Sequence, residues 1–217
     1  MKKRLMEGIV VAVLLFVLYK GSESLVLEDP YDSSQYQAQK AIEYANQYVF
    51  GANRDYLYFE TNCTNFVSQC LVAGGLESDS TTSTLKQGDF LKLVSTNKKW
   101  FCHSYHFSDD QPNEYVVSTA FIRANDFVDY WENARKVRTE YYDLTNENIK
   151  EAIKKTHVGD VLVIFTANGS TDHHVALVVE VDSFGIYYNS NTSNRDHYNL
   201  KEVSKEDYNR FAILHFV

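Results

Sequence analysis

Residues 60–76, ETNCTNFVSQCLVAGGL, place a cysteine at the first turn of a short amphipathic helix that two glycines then stop. Thr61 or Asn62 is positioned to cap that helix, so Cys63 falls where unpaired backbone N–H groups and the positive end of the helix dipole favour thiolate over thiol. Phe66, Val67, Cys70, Leu71 and Ala73 supply the apolar face, and Gly74 stands where a left-handed C-terminal cap belongs. The segment therefore predicts a buried helix that presents one thiol, Cys63, as a candidate nucleophile.

The rest of the chain gives this helix something to pack on. Residues 34–49 read as a helix with Ala38, Ile42, Ala45 and Val49 on one face and Gly51 after its end. From Glu77 to Asn113 the composition turns polar, which predicts mostly loop, with Trp100, Phe101, Tyr105 and Phe107 anchoring it or forming a groove wall. Residues 123–135 and 145–156 look helical. After Gly159-Asp160 come β-branched and aromatic runs, Val161–Phe165, His174–Val181, Ile186–Tyr188 and Phe211–Val217, separated by Asn, Gly, Ser and Asp, as in antiparallel strands. Helices first and strands later predict an α+β fold.

With 217 residues, the chain is expected to form one domain, residues 27–217, after a leader, residues 1–26. The leader has a basic start (Lys2, Lys3, Arg4), an apolar run from Gly8 to Tyr19 and a polar stretch after it, the layout of a secretory signal. The apolar run is shorter than the ~20 residues of a spanning helix, and no small-x-small cleavage site is evident, so a cleaved signal and a retained N-terminal membrane anchor both stand. Either predicts an extracellular domain. The net charge of −8, more negative once the cationic leader is set aside, excludes a nucleic-acid binder. Electrostatics gives no attraction to anionic lipids or wall polymers either, so substrate binding falls to a shaped cleft.

Three cysteines leave at least one thiol unpaired in an exported protein, and Cys63 is the one expected to be free. Cys70 lies two turns below it, about 10 Å along the axis, and is expected to be a buried hydrophobe. A Cys70–Cys102 bridge is compatible with the sequence, but spacing does not determine it.

A thiol nucleophile needs a base, and the base needs an orienting group. His174 begins a strand after the Asn168–Asp172 turn, and alternation puts it on one face with Ala176 and Val178 while His173 points the other way. Both remain candidates, with His174 preferred. His215 reads as a hydrogen-bonded core residue, and His157 and His197 as solvated. Cys102, His103 and His106 lack a recognised zinc spacing, so no metal or other cofactor is expected. Asn62, Asn168 and Asn191 each begin an Asn-x-Ser/Thr match, read as chance in a protein from a non-glycosylating bacterial export route.

The run Asn62-Cys-Thr-Asn-Phe-Val-Ser-Gln-Cys-Leu-Val-Ala-Gly-Gly75 resembles the signature of the putative amidase domain family, Asp-Cys-Thr-Asn-Phe-Val-Ser-Gln-Cys-Leu-x-Ala-Gly-Gly, with Asn62 in place of the leading acid. The helix from Tyr36 to Tyr48 also looks like that family's, and His174-Val-Ala-Leu-Val resembles its His-Ser-Ala-Ile-Val. The resemblance implies a papain-like core related to NlpC/P60 and CHAP hydrolases, with the nucleophile helix on a small antiparallel sheet. It implies a cysteine amidase or peptidase in which Cys63 attacks, His174, or His173 through the match of Asp172-His173 to the family's Asp-His pair, moves the proton, and Asn191, or Asn189 on the same strand face, orients the imidazole. Asn62 would support the oxyanion beside the Cys63 backbone N–H. Peptides of peptidoglycan type are the implied substrates. Two rivals use the same fold: a catalytically silent binding module, and a lipid acyltransferase or thioesterase.

Overall fold

The computed structural model describes residues 30–86, 88–106, 113–168 and 173–217. The leader, Phe107, Pro112 and the residues 169–172 before His173 lie outside them. The described chain is α+β. Its helices are α1 (Ala38–Tyr48), α2 (Cys63–Ala73), α3 (Thr119–Ile122), α4 (Ala124–Asp129) and α5 (Asn146–Ile153). Its strands are β1 (Leu91–Val94), β2 (Cys102–Tyr105), β3 (Glu114–Ser118), β4 (Thr139–Asp143), β5 (Val161–Thr166), β6 (His174–Val181), β7 (Ile186–Ser190), β8 (Arg195–Asn199) and β9 (Tyr208–Leu214).

Six strands form one antiparallel sheet in the order β4-β9-β5-β6-β7-β8. Alternation along its strands divides the core in two. Val161, Val163, Val175, Leu177 and Ala212 face α1, α2 and an aromatic block built on Trp100, Tyr130 and Trp131. Leu162, Ile164, Ala176, Val178, Tyr188 and Phe211 face the other way, onto Ile149 and Ala152 of α5.

The expected loop at 77–113 contains β1 and β2, which flank β3 in a second sheet, parallel on one side and antiparallel on the other. β1 has no alternation to betray it, since Leu91, Lys92 and Leu93 are all exposed and the strand is held by pairing with β3. The helix expected over 123–135 starts at Ala124 and ends in a wider π turn, Tyr130–Ala134.

α2 ends in a Schellman motif: Leu76 N–H bonds Leu71 C=O at 3.1 Å and Gly75 N–H bonds Val72 C=O at 2.9 Å. The left-handed residue is Gly75, at φ +97°, and not Gly74, whose φ is −70°. Gly74 is needed for space, because a Cβ there would come within 2.5 Å of the Tyr36 ring. All three cysteines are free thiols, with Cys70 fully buried among the α2 core residues and Cys102 half-buried on β2.

Candidate active site

The head of α2 is fixed from four directions by Asn62. Its backbone C=O accepts the first helical bond, from Phe66 N–H at 2.8 Å, and its own N–H donates to Thr192 Oγ1 at 2.9 Å. The side chain does not cap the helix as expected. Instead Oδ1 accepts from Phe59 N–H at 3.2 Å and from Asn65 Nδ2 at 2.8 Å, while Nδ2 donates to Asn191 Oδ1 at 2.8 Å. The backbone N–H groups of Cys63, Thr64 and Asn65 consequently carry no bond among the described residues, which leaves the positive end of the helix open.

Asn191 is buried in the turn after β7. Its Nδ2 donates to the carbonyls of Tyr48, Val49 and Gly51 at 2.9, 3.1 and 3.0 Å, closing the C-terminal end of α1. One amide thus ties the end of α1, the end of β7 and the start of α2. Asn189 is also buried and bonded, donating to Asn46 Oδ1 and accepting from His197 N–H. In this arrangement neither asparagine hydrogen-bonds the His174 ring. The buried, bonded amides of Asn62 and Asn191 are closed to glycans.

Cys63, His173 and His174 line one cleft of about 550 Å³ at the end of the large sheet, together with the α3–α4 corner, Thr192, Ser193 and Tyr208. Cys63 is mostly buried, and its Sγ lies 3.9 Å from Thr64 Oγ1 and 3.9 Å from the His173 carbonyl oxygen. The thiol sits against the peptide that joins the two histidines. Their rings diverge as alternation requires. His173 packs on Phe165, ring centroids 4.5 Å apart, and Phe165 belongs to the layer that holds α2. His174 packs edge-on to Tyr188 at 6.4 Å, in the opposite layer with Ala176 and Val178.

His174 Nε2 is buried without a hydrogen-bond partner. Burial, helped by the Arg195 charge, lowers its pKa to about 4, so the ring is neutral at physiological pH and a weaker base than a free imidazole. Burial also pushes the Cys70 thiol well up, and the Cys102 thiol up to about 12. The three thiols therefore differ in setting, and Cys63 alone opens on the cleft that holds the histidines.

Away from the cleft, His157, Asp160 and His215 cluster. The fully buried Asp160 carboxylate accepts from the backbone N–H of His157, Phe216 and Val217 at 2.8, 2.9 and 3.3 Å, and His215 Nδ1 lies 3.2 Å from it. These bonds account for the cluster as a clamp on the residues that follow β9.

Sequence reasoning missed Thr192, which holds the Asn62 backbone, and Arg123 and Asp126, which line the cleft from the α3–α4 corner. None of the three has a local signal. A threonine in a polar turn and charges on a short helix become cleft residues only through long-range contact.

A mostly antiparallel α+β fold with a thiol at a helix head and two imidazoles in one cleft defines a candidate hydrolase. Residues 35–214 match the family model described as a putative amidase domain, and the chain belongs to that family, whose name points to amide hydrolysis. A stretch of 41 residues is 49% identical to "Uncharacterized protein YhbB" of Bacillus subtilis (strain 168), covering 19% of this chain and 13% of that protein. No solved structure matches.

Proposed function

We propose that this chain is a cysteine amidase with a papain-like core of the NlpC/P60 and CHAP kind, working outside the cytoplasm on amide bonds of cell-wall peptides. The observation that carries the mechanism is the Cys63 thiol at the open head of α2, in one cleft with the His174 and His173 imidazoles. In this reading Sγ attacks the substrate carbonyl as His174 takes the thiol proton. The developing oxyanion lies against the Cys63 backbone N–H, with Asn62 fixing the helix head and its second amide N–H as a further donor. His174 then protonates the leaving amine, and water hydrolyses the thioester. Asn191 acts as a positioning residue through Asn62 and the end of α1.

A second reading of the base is favoured by one observation: the His173 ring lies on the α2 side of the sheet, and its carbonyl touches Sγ. Single alanine variants decide between them. His174→Ala is expected to lower turnover by about 10²–10⁴-fold and His173→Ala to be mild; the reverse ranking moves the base to His173. Paired amide and ester substrates test the reaction class, since release of fatty acid from esters with no amide cleavage would overturn the amidase reading.

Export rests on the basic start and the Gly8–Tyr19 apolar run. Among the described residues no helix is long and apolar enough to cross a membrane. Fractionation of the native host tests the location, with a cytosolic protein counting against the cell-wall assignment.

A further inference from the structure

The thirteen residues that line the cleft include two with fixed charge, Arg123 and Asp126. Neither side chain has an ion-pair or hydrogen-bond partner among the described residues, and the two do not pair with each other. Arg195, whose charge acts on His174, is already committed: its guanidinium bonds the Tyr188 phenol and lies over the Tyr198 ring at 4.7 Å. In a chain of net charge −8, an uncommitted cation at the cleft wall does not follow from composition.

Arg123 is also held in place. Its N–H closes α3 on Thr119 C=O at 2.8 Å, and its C=O accepts the first bond of α4 from Phe127 N–H at 2.9 Å. Arg123 is exposed between the half-buried Ile122 and the buried Ala124, which line the cleft with it. The corner is tied to the nucleophile helix by Ser68 Oγ, which donates to Phe121 C=O at 2.8 Å and accepts from Trp100 Nε1 at 2.9 Å. The backbone at Arg123 thus keeps a set position relative to α2.

We propose that Arg123 is the specificity-determining residue of the cleft and binds a carboxylate carried next to the scissile amide, so that substrates are peptides with an acidic group beside the cleaved bond. The inference rests on Cys63 being the nucleophile. A guanidinium forks onto a carboxylate with paired, charge-assisted bonds, and a single such contact orients the acyl group in front of a thiol. Asp126 limits the pull by opposing a second negative charge on the same wall.

Alkylation of Cys63 in the intact protein tests this without knowing the substrate. Iodoacetate and iodoacetamide differ in a carboxylate against a neutral amide, and in both the sulfur displaces iodide to form a thioether. The iodoacetate-to-iodoacetamide rate ratio is expected to fall about three- to tenfold in Arg123→Gln, to be largely kept in Arg123→Lys, and to rise in Asp126→Asn. Added salt lowers the ratio in the wild type and does not lower it in Arg123→Gln. A ratio insensitive to Arg123→Gln, in a protein that still reacts with iodoacetamide, overturns the carboxylate proposal alone. Failure of both reagents on the native protein overturns the thiol reading, and the proposal with it. Peptide pairs differing only as Glu against Gln, or as C-terminal acid against amide, then identify which carboxylate is recognised; no preference within either pair also overturns it.

Discussion

The side-chain amide of Asn62 donates to the side-chain carbonyl of Asn191 at 2.8 Å, across 129 positions of sequence, and both groups are buried. Through this bond the helix that carries Cys63 is referenced to the end of α1 and to the turn after β7. Asn191→Ala removes the acceptor for Asn62 and the donor for three carbonyls at and just beyond the end of α1 at once. Leaving such groups buried and unpaired costs about 1–3 kcal/mol each where water does not enter. Chemical denaturation is expected to show a loss of about 2–4 kcal/mol, and an unchanged midpoint would mean the amide network carries no stability.

Thiol selectivity follows from burial. Cys70 is fully buried with its pKa raised well above the usual thiol range, and Cys102 is half-buried with its pKa raised to about 12. Native protein treated with a small electrophile at neutral pH is expected to carry one adduct, at Cys63. Peptide mapping that finds Cys70 or Cys102 modified before unfolding would contradict this burial.

His174 links stability to pH. Its pKa falls from an ordinary 6.5 to about 4 in the folded chain, so between these values the unfolded chain binds a proton that the folded one does not. Stability is fully present above pH 6.5 and is lost as pH falls toward 4, with the loss reaching roughly 3 kcal/mol. His174→Gln removes the titration and is expected to flatten that part of the pH–stability curve. A variant curve parallel to the wild type down to pH 4 would place the acid sensitivity elsewhere.

The stop of α2 depends on two glycines for different reasons. Gly75 needs φ +97°, and Gly74 needs the space beside Tyr36, whose hydroxyl is anchored on Gly159 C=O at 2.8 Å and cannot swing away cheaply. Gly74→Ala is expected to cost about 1–3 kcal/mol through overpacking. The companion variant Tyr36→Leu with Gly74→Ala should recover part of it, measured as a non-additive melting shift.

Local chemistry made much of the fold readable in advance. Asn62 to Leu76 state a helix start, an apolar face and a glycine stop within one segment, so Cys63 at the helix head follows from neighbours alone. β5, β6, β7 and β9 were legible because their β-branched runs are buried on both faces of a covered sheet. β4 and β8 were not. They are the sheet's edge strands, rich in polar and tyrosine residues, and exist because β9 and β7 offer them a ladder.

For the site, the sequence by itself determined the candidate groups: a thiol at a helix head, two adjacent histidines at a strand start and a polar turn after β7. Alternation at the start of β6 also determined that the two imidazoles diverge. Tertiary structure decided which layer each ring joins, because the side of the sheet that α2 occupies is set by packing among distant elements. It likewise decided that Asn191 bonds Asn62 and α1 instead of an imidazole, and that Arg123 reaches the cleft. A hydrogen bond or a bare charge depends on what stands within a few ångströms, and those neighbours come from parts of the chain that local pattern does not connect.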